Sequence, residues 1–312
     1  MVPTSGKQYE IKFDGYSAVI ASVGASLRVL RHDGRDLVVP FDSAELRPAY
    51  RGCTLAPWPN RVVDGRYVFD GTQFQLPLTE PARAHALHGL AAWISYDATG
   101  WADDRVTLAA WIEPQNGYPW RIGIETTYVL NVNGLTQTVV ATNQSESRAP
   151  FGTGPHPYLV AGPGVVDDWT FSLPASSVLN VTPDRLAPVA LASVESDPSR
   201  FDFRQPRRIA AVELDHAFTD LHRESSGDTE VRLTTPSGAG VLMSWNRDCP
   251  WVQVHTADQP DADPSTHRIG LAVEPMTCAP GAFNGIPGVD TGLLVLQPGS
   301  TATASWRIAA IS

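Results

Sequence analysis

Two residues combine a reactive side chain with a stiff backbone. His156 lies between two prolines in GTGPHPYL (residues 152–159), and Glu274 follows an apolar run and precedes Pro275 in LAVEPMT. A proline fixes its own φ and pushes the preceding residue toward extended backbone. Both side chains are therefore predicted to be held in one orientation. Histidine and a buried glutamate can exchange protons near neutral pH, although His156 taken alone could equally be a packing residue in a proline-rich corner.

Two further segments carry groups that bind oxygen-rich ligands. Asn60-Arg61 precedes a hairpin strand in PWPNRVVDG, and Asp215 lies between apolar residues in ELDHAF. The guanidinium of Arg61 is a planar donor fork, and a carboxylate such as Asp215 accepts hydrogen bonds from hydroxyl groups. Each has a simpler explanation in isolation, namely a surface ion pair for Arg61 and a hydrogen bond to a turn for Asp215. Alternation predicts that Leu214 and His216 face one way and Asp215 the other.

His85 and His88 in HALHGL are the candidates for a metal site. They are three residues apart, but the segment between Pro81 and Gly89 has no helical pattern that would place both rings on one face. No third ligand is apparent nearby, so we predict no metal, with both rings satisfied by backbone carbonyls. The protein is therefore expected to be independent of metal; if chelation showed otherwise, the acidic segment DQPDADPST would be reconsidered as a calcium site. No CxxC pair is present to hold zinc.

Composition excludes several classes of function. Hydrophobic residues make up 43% of the 312 residues, charged residues 18%, and the formal net charge is −10. This charge opposes binding to nucleic acid or to anionic membranes, and no run of 18 apolar residues could span a bilayer. The start of the chain lacks the pattern of a secretory signal. An odd number of widely spaced cysteines predicts reduced thiols and a cytoplasmic protein; they are Cys53, Cys249 and Cys278.

Alternation of apolar and polar residues dominates the chain and indicates strands. GRYVFDGTQFQL alternates around Asp70-Gly71, which predicts a two-residue hairpin turn. Two longer β-rich runs are predicted to join at Asn133-Gly134, and one face of the first is shared by Ile122, Ile124, Thr126, Tyr128 and Leu130. Further strands are predicted on both sides of a Pro-Ser-Gly turn, in PWVQVHTA and in ATASWRIAAI.

These patterns predict an all-β fold. No stretch of a dozen residues carries a capped helical stripe, so we expect less than about a tenth of the chain in α-helix. Residues 181–208 are rich in proline and are predicted to be a long surface excursion. No linker is evident, and residues 1–312 are therefore predicted to form one domain. The expected architecture is a large sandwich of antiparallel sheets with a site on a concave face.

Five motifs in order resemble the aldose 1-epimerase (galactose mutarotase) family. They are NRVVDGRYVF, LHGL, PHPYL, LDHAF and VEPMTCAPGAFN, and they span residues 60–284. The resemblance implies a β-supersandwich with a sugar cleft on the concave face and no cofactor. It implies that His156 is the general acid and Glu274 the general base. Positions that contact the sugar match Arg61, His88 and Asp215, and Asn60 and Tyr158 in the same motifs are added as substrate-binding residues.

The implied reaction interconverts the α and β anomers of an aldohexose. Tyr158 is followed by Leu-Val where galactose mutarotases have Phe-Asn, and Glu274 is followed by a different sequence as well. The chain therefore resembles a bacterial side branch of the family. Two alternatives stay open: a hexose-6-phosphate 1-epimerase using Arg83, Arg121 or Arg247, and a non-catalytic carbohydrate-binding sandwich using Trp58, Trp93 or Trp120. The expected partner is a monosaccharide, and the protein is expected to be a monomer or a homodimer.

Overall fold

Strands account for 49% of the chain and helix for 7%, which confirms the all-β prediction. The computed structural model describes residues 1–258 and 264–312. In the described residues the helices are α1 (Pro198–Phe201) and short 3-10 turns at Pro48–Tyr50, Pro81–Arg83, Ala91–Trp93, Val166–Asp168, Val194–Ser196 and Pro264–Thr266. No helix among the described residues is long and apolar enough to cross a membrane.

The strands of the described residues, in chain order, are β1 (Gln8–Phe13), β2 (Tyr16–Ala21), β3 (Ser26–His32), β4 (Arg35–Asp36), β5 (Thr54–Leu55), β6 (Arg61–Val63), β7 (Arg66–Phe69), β8 (Thr72–Gln75), β9 (His85–Leu87), β10 (Asp97–Ala102), β11 (Arg105–Ile112), β12 (Ile122–Asn131), β13 (Gly134–Asn143), β14 (Ala149–Phe151), β15 (Gly154–Pro155), β16 (Tyr158–Leu159), β17 (Thr170–Ser172), β18 (Ala175–Val181), β19 (Pro188–Ser193), β20 (Arg207–Arg208), β21 (Asp215–Leu221), β22 (Thr229–Thr234), β23 (Gly240–Trp245), β24 (Trp251–His255), β25 (Leu271–Met276), β26 (Leu294–Leu296) and β27 (Thr301–Ile311).

Two large antiparallel sheets share one hydrophobic core. A nine-stranded sheet has the order β10-β11-β12-β13-β27-β23-β22-β17-β20, and a six-stranded sheet has the order β16-β25-β24-β21-β18-β19. The core cluster takes Ile124 and Ile308 from the larger sheet and Val254 and Val273 from the smaller one. Burying one face of each sheet against the other is the arrangement expected of a sandwich. The smaller sheet keeps its second face for other contacts.

The alternating runs form the predicted hairpins, but one turn lies one residue earlier than predicted. The face of β12 that begins with Ile122 is buried, as predicted. The turn to β13, however, is Val132-Asn133 rather than Asn133-Gly134, because Asn131 pairs directly with Gly134. The side chain of Asn131 accepts a 2.8 Å hydrogen bond from the backbone N–H of Asn133 and closes the turn one residue earlier.

The other turn predictions have mixed outcomes. Asp70 and Gly71 connect β7 and β8 with φ values of 50° and 74°, as a two-residue hairpin turn requires. The Pro-Ser-Gly turn connects β22 and β23. The prediction for residues 181–208 was wrong in part, since β19 pairs with β18 as the edge strand of the six-stranded sheet. Its alternation was obscured by Pro188, which an edge strand tolerates. The prediction of a single domain stays a prediction.

Gly89 provides a test of how tightly the loops near the sheets are packed. Its φ is +75°, and a Cβ there would lie 2.1 Å from the carbonyl oxygen of Ala56. We predict that G89A lowers the free energy of unfolding by more than about 2 kcal/mol, because strain and a clash combine. The control is G71A, which has a similar φ of +74° but no atom within 4 Å of the added methyl, and should cost about 1 kcal/mol. Equal losses in urea denaturation would contradict this packing.

Candidate active site

The free face of the six-stranded sheet is the floor of the candidate site. Residues paired directly across strands point to the same face. One such row runs from Tyr158 through Ala272 and His255 to Asp215. The next row on that face places Glu274 opposite Gln253. The valines between them, on β24 and β25, point into the core, so the alternation separates the polar floor from the apolar interior.

His156 lies at the break between two short strands. Pro155 ends β15 and Tyr158 begins β16, so the two prolines mark the change from one pairing partner to another. The carbonyl of His156 accepts a 2.8 Å hydrogen bond from the backbone N–H of Gly52. Its ring stacks on that of Tyr158 at 5.2 Å and is 4% exposed. The proline-bracketed corner therefore fixes the imidazole against the floor.

This corner brings His156 and Glu274 together. Their Nε2 and Oε1 atoms lie 3.5 Å apart, and Glu274 is only 2% exposed. Nδ1 of His156 and Oε2 of Glu274 are buried and have no hydrogen-bond partner among the described residues. Buried polar atoms are normally paired, and exceptions concentrate at functional sites. An apolar run followed by Glu274 and Pro275 predicts that Glu274 ends a strand, but this prediction is wrong, because β25 continues through Met276.

Burial changes the protonation of both groups in the same sense, toward the neutral form. Burial lowers the pKa of His156 to about 3, with a further contribution from the nearby His255. Burial also raises the pKa of Glu274 well above its usual value, assisted by the charge of Asp215 and opposed by that of Arg61. Both shifts favour a neutral histidine and a protonated carboxyl group, so we expect the resting pair to hold one proton, on Glu274.

Asn60 and His88 form one wall of the site through a reciprocal contact. The N–H of His88 donates to the carbonyl of Asn60 at 2.8 Å, and the N–H of Asn60 donates to Nδ1 of His88 at 3.2 Å. Both residues have positive φ, 55° for Asn60 and 60° for His88. This uncommon backbone is frequently found at functional sites. Burial lowers the pKa of His88 well below its usual value, so the neutral ring keeps its proton on Nε2.

The orientation of His88 argues against a metal ion. Possible ligand atoms of His88, His156 and Glu274 all lie within 4.8 Å of one another, so a third ligand candidate exists that the sequence did not indicate. A metal-bound histidine normally donates its other N–H to an acceptor. In His88 that other nitrogen already accepts a hydrogen bond, so the nitrogen left for a metal carries the proton. With this protonation His88 does not suit the role of third ligand to a divalent metal. Residues 259–263 of the acidic segment lie outside the described residues.

Arg61 is buried and paired on its inner side. Its Nε and Nη2 donate to the two carboxylate oxygens of Glu80 at 2.8 and 3.1 Å. Its Nη2 also lies 3.7 Å from Oδ2 of Asp215. Arg61 is therefore not a solvent-exposed rim residue. Glu80 holds the guanidinium in place, and the 3.7 Å contact to Asp215 is too long for a hydrogen bond, so both groups keep hydrogen-bonding capacity for a ligand.

Asp215 remains a carboxylate although it is largely enclosed. Burial alone would raise its pKa, but the nearby His255 and Arg61 and the hydrogen bond from Gln253 outweigh burial and lower the pKa of Asp215. Nε2 of Gln253 donates to Oδ1 of Asp215 at 2.5 Å. Leu214 and His216 point away from the site, as the alternation predicts: Leu214 belongs to the core and His216 packs against Phe201. A charged acceptor thus faces the ligand space.

A cavity of about 350 Å³ unites all the sequence-predicted site residues. They are Asn60, Arg61, His88, His156, Tyr158, Asp215 and Glu274. His85 is not among them: its Nε2 donates to the carbonyl of Arg185 at 2.9 Å, as predicted. The same prediction is wrong for His88, whose ring accepts from the backbone N–H of Asn60. Sequence reasoning missed further lining residues, namely Tyr50, Glu80 and His255, whereas Asp258 is the first residue of the acidic segment. For His255 a signal existed, because Gln253 and His255 alternate with apolar Val252 and Val254.

Comparison with known proteins agrees with this geometry. A family model described as aldose 1-epimerase matches residues 7–309. The chain belongs to the aldose 1-epimerase family. It is 36% identical over 296 residues to the uncharacterized protein YihR of Escherichia coli, covering 95% of this chain and 90% of YihR. Galactose mutarotase of Mus musculus is 25% identical over 241 residues, with 71% and 66% of the two chains covered.

Solved structures share the fold of this family member. The GalM/aldose epimerase homologue from C. elegans superposes with a TM-score of 0.83 at 21% identity, over 98% of this chain and 99% of the other. Galactose 1-epimerase from Lactobacillus acidophilus gives a TM-score of 0.78 at 20% identity, over 96% and 93%. The greater identity to YihR than to the mouse mutarotase agrees with the bacterial side branch.

Removing the ionisable group of Glu274 should stabilise the protein. The folded state holds a proton that the unfolded state releases above its pKa of about 4.5, so the contribution of Glu274 to stability is lost as the pH rises through the raised folded pKa. We predict that E274Q matches wild type near pH 4 and becomes more stable toward pH 8. The gain is about 1.4 kcal/mol for each pH unit by which the pKa is raised. A constant difference between pH 4 and pH 8 in chemical denaturation would contradict the raised pKa.

Metal removal should leave the site unchanged. Because the free nitrogen of His88 carries a proton, we expect dialysis against EDTA to alter neither the melting temperature nor sugar turnover. Readdition of zinc or calcium should not increase either quantity. A loss on chelation that zinc or calcium restores would show that the protonation assigned to His88 is wrong.

Proposed function

We propose that this protein is a mutarotase that interconverts the α and β anomers of an aldohexose. The observation that carries the proposal is the 3.5 Å contact between His156 and Glu274 inside a cavity. The rest of the lining consists largely of groups that bind hydroxyls, including Arg61 and Asp215. A proton-exchanging pair within a hydroxyl-binding cavity is what ring opening of a sugar needs.

The chemistry consists of two proton transfers and their reversal. Glu274 as carboxylate accepts the proton of the anomeric hydroxyl while His156 as imidazolium donates a proton to the ring oxygen, so the C1–O5 bond breaks and an aldehyde forms. Rotation about C1–C2 presents the other face of the aldehyde. The ring oxygen then attacks C1, its proton returns to His156, and Glu274 returns a proton to the carbonyl oxygen. The opposite anomer forms with no net change in the pair.

The resting pair has the right number of protons but the wrong distribution. One proton on Glu274 and a neutral His156 must become a carboxylate and an imidazolium before the ring opens. A single transfer between Oε1 and Nε2, 3.5 Å apart, makes this change. Burial favours the neutral form of each group. Because the two groups lie 3.5 Å apart, they are treated as one titrating unit.

The remaining residues bind and orient the sugar in this proposal. Asp215 accepts hydrogen bonds from hydroxyl groups, while Arg61 and the Nε2–H of His88 donate them. Asn60 contributes chiefly by holding His88, with which it exchanges two hydrogen bonds. Tyr158 stacks on His156 and keeps its ring in place. Together these groups would hold a pyranose with its ring oxygen toward His156.

No observation favours the two alternatives. Arg121 pairs with Glu113 and packs on Trp111, away from the cavity, and Arg247 is not among the cavity residues. Arg83 does line the cavity, but it pairs with Glu80. A phosphate group would also meet several carboxylates there. A purely binding protein would have no use for the His156–Glu274 pair. Trp58 and Trp120 are buried in the core. Trp93 is exposed and contacts Tyr50 of the lining, but it is not itself a cavity residue.

We further propose a cytoplasmic protein acting as a monomer or a homodimer, with its three cysteines buried and unpaired.

Polarimetry tests this function directly. Freshly dissolved α-D-galactose or α-D-glucose should reach its equilibrium rotation faster with the wild-type protein than without it. The final rotation should be unchanged, because an enzyme alters only the rate. The matched negative control is E274Q, which keeps the shape of the site. An identical time course with and without wild-type protein for both sugars would reject the proposal.

Catalytic and binding variants should differ in the kinetic constant that they change. E274Q and H156N should lower kcat by roughly 10²–10⁴-fold with little change in KM, because each group acts mainly in the transition state. D215N should instead raise KM, since its hydrogen bond to the sugar persists throughout the reaction. The double variant E274Q/H156N should lose little more than either single variant. Near-normal kcat in folded E274Q would mean that the base lies elsewhere.

A further inference from the structure

His255 is a cavity residue to which the proposed mechanism gives no role. It ends β24, is partly buried, and lines the same cavity as His156 and Glu274. It pairs directly with Asp215 on β21. Side chains in such a cross-strand pair share a face, with Cβ atoms about 4.5–5.5 Å apart. His255 and Asp215 are therefore adjacent groups on the floor of the site.

The contact made by Nδ1 of His255 determines whether Nε2 can donate or accept a hydrogen bond. Nδ1 lies 3.2 Å from the carbonyl oxygen of Leu214. A carbonyl can only accept, so Nδ1 carries a proton in this contact. In the tautomer with its single proton on Nδ1, Nε2 is a hydrogen-bond acceptor. The floor thus presents two adjacent acceptors, Nε2 of His255 and the carboxylate of Asp215.

The opposite protonation of His88 makes the cavity asymmetric. Nδ1 of His88 accepts from the backbone of Asn60, so its Nε2 is a donor. Arg61 adds further donors beside it. One wall of the cavity therefore donates hydrogen bonds and the floor accepts them. A hydroxyl group satisfies either side, whereas a fluorine or an ether oxygen can only accept and suits the donor wall alone.

We propose that His255 is a specificity-determining residue, whose Nε2 accepts a hydrogen bond from one hydroxyl of the bound aldose next to the hydroxyl held by Asp215. This inference rests on the proposed function. It requires the substrate to present two neighbouring hydroxyl donors to the floor. A site built around hydrogen bonds discriminates strongly against analogues that lack them, because its own polar groups are left unpaired.

A pair of substitutions separates the two nitrogens of His255. In H255N the amide N–H can keep the contact to Leu214, but no acceptor remains at the position of Nε2. In H255Q the amide oxygen can reach that position. We expect H255N to raise KM about three- to tenfold with kcat within about twofold of wild type, and H255Q to stay near wild type. H222N, at an exposed histidine outside the cavity, is the control and should change neither constant.

Sugar analogues then test the identity of the bonded group. Affinities of 1,5-anhydro-D-glucitol and 1,5-anhydro-D-galactitol, which cannot open, are compared by ligand-observed NMR with those of their monodeoxy and monofluoro derivatives. Two neighbouring ring positions should tolerate neither hydrogen nor fluorine in wild type. At one of these positions the loss of affinity caused by hydrogen or fluorine should disappear in H255N and persist in H255Q.

The outcomes separate the two proposals. Tolerance of fluorine at every position, or equal behaviour of H255N and H255Q, would overturn the role of His255 while leaving mutarotation intact. Binding with the expected pattern but without mutarotation would overturn the proposed function and support the role of His255 in binding. Failure of the wild-type protein to bind either anhydro sugar would overturn both.

Discussion

The burial of two ionisable groups beside each other is the constraint on which the rest of this structure depends. His156 and Glu274 are nearly inaccessible to solvent, and Nδ1 of the one and Oε2 of the other have no hydrogen-bond partner among the described residues. Neither group can easily become charged on its own there. Their contact of 3.5 Å allows one proton to serve both. The proposed chemistry uses this shared proton. Burying the carboxyl group for this purpose lowers the stability of the folded protein.

The fold positions this pair and its neighbours in two ways, by strand pairing in a sheet and by corners of restricted backbone. Register places Glu274, His255 and Asp215 on one face of a rigid antiparallel sheet, where strand pairing fixes their spacing. The remaining groups come from corners with restricted backbone, such as the proline-bracketed His156 and the positive φ of His88. The charge of Arg61 inside the site is already paired with Glu80. In the proposed function, a sugar would exchange hydrogen bonds with groups that these contacts already hold in place.

The sequence contains the local part of this arrangement but not the long-range part. Alternation predicts the hairpins, and proline neighbours identify His156 and Glu274 as oriented side chains. The pairing of Asp215 with His255 depends on a register between distant segments, which no local pattern specifies. His255 also reads as an ordinary outward residue of an alternating strand. His85 and His88 look equivalent in sequence, and only the left-handed backbone of His88 and its contact with Asn60 separate a structural ring from a ligand-facing one.

The most direct test of the central claim is an infrared difference spectrum between wild-type protein and E274Q at pH 6. Burial raises the pKa of Glu274 well above its usual value and lowers that of His156 to about 3, so at this pH the shared proton is predicted to lie on the carboxyl group. The wild-type spectrum should therefore contain the C=O stretch of one un-ionised carboxylic acid that E274Q lacks. A difference spectrum that contains only the two carboxylate bands would show that Glu274 is ionised in the resting protein and would contradict this account.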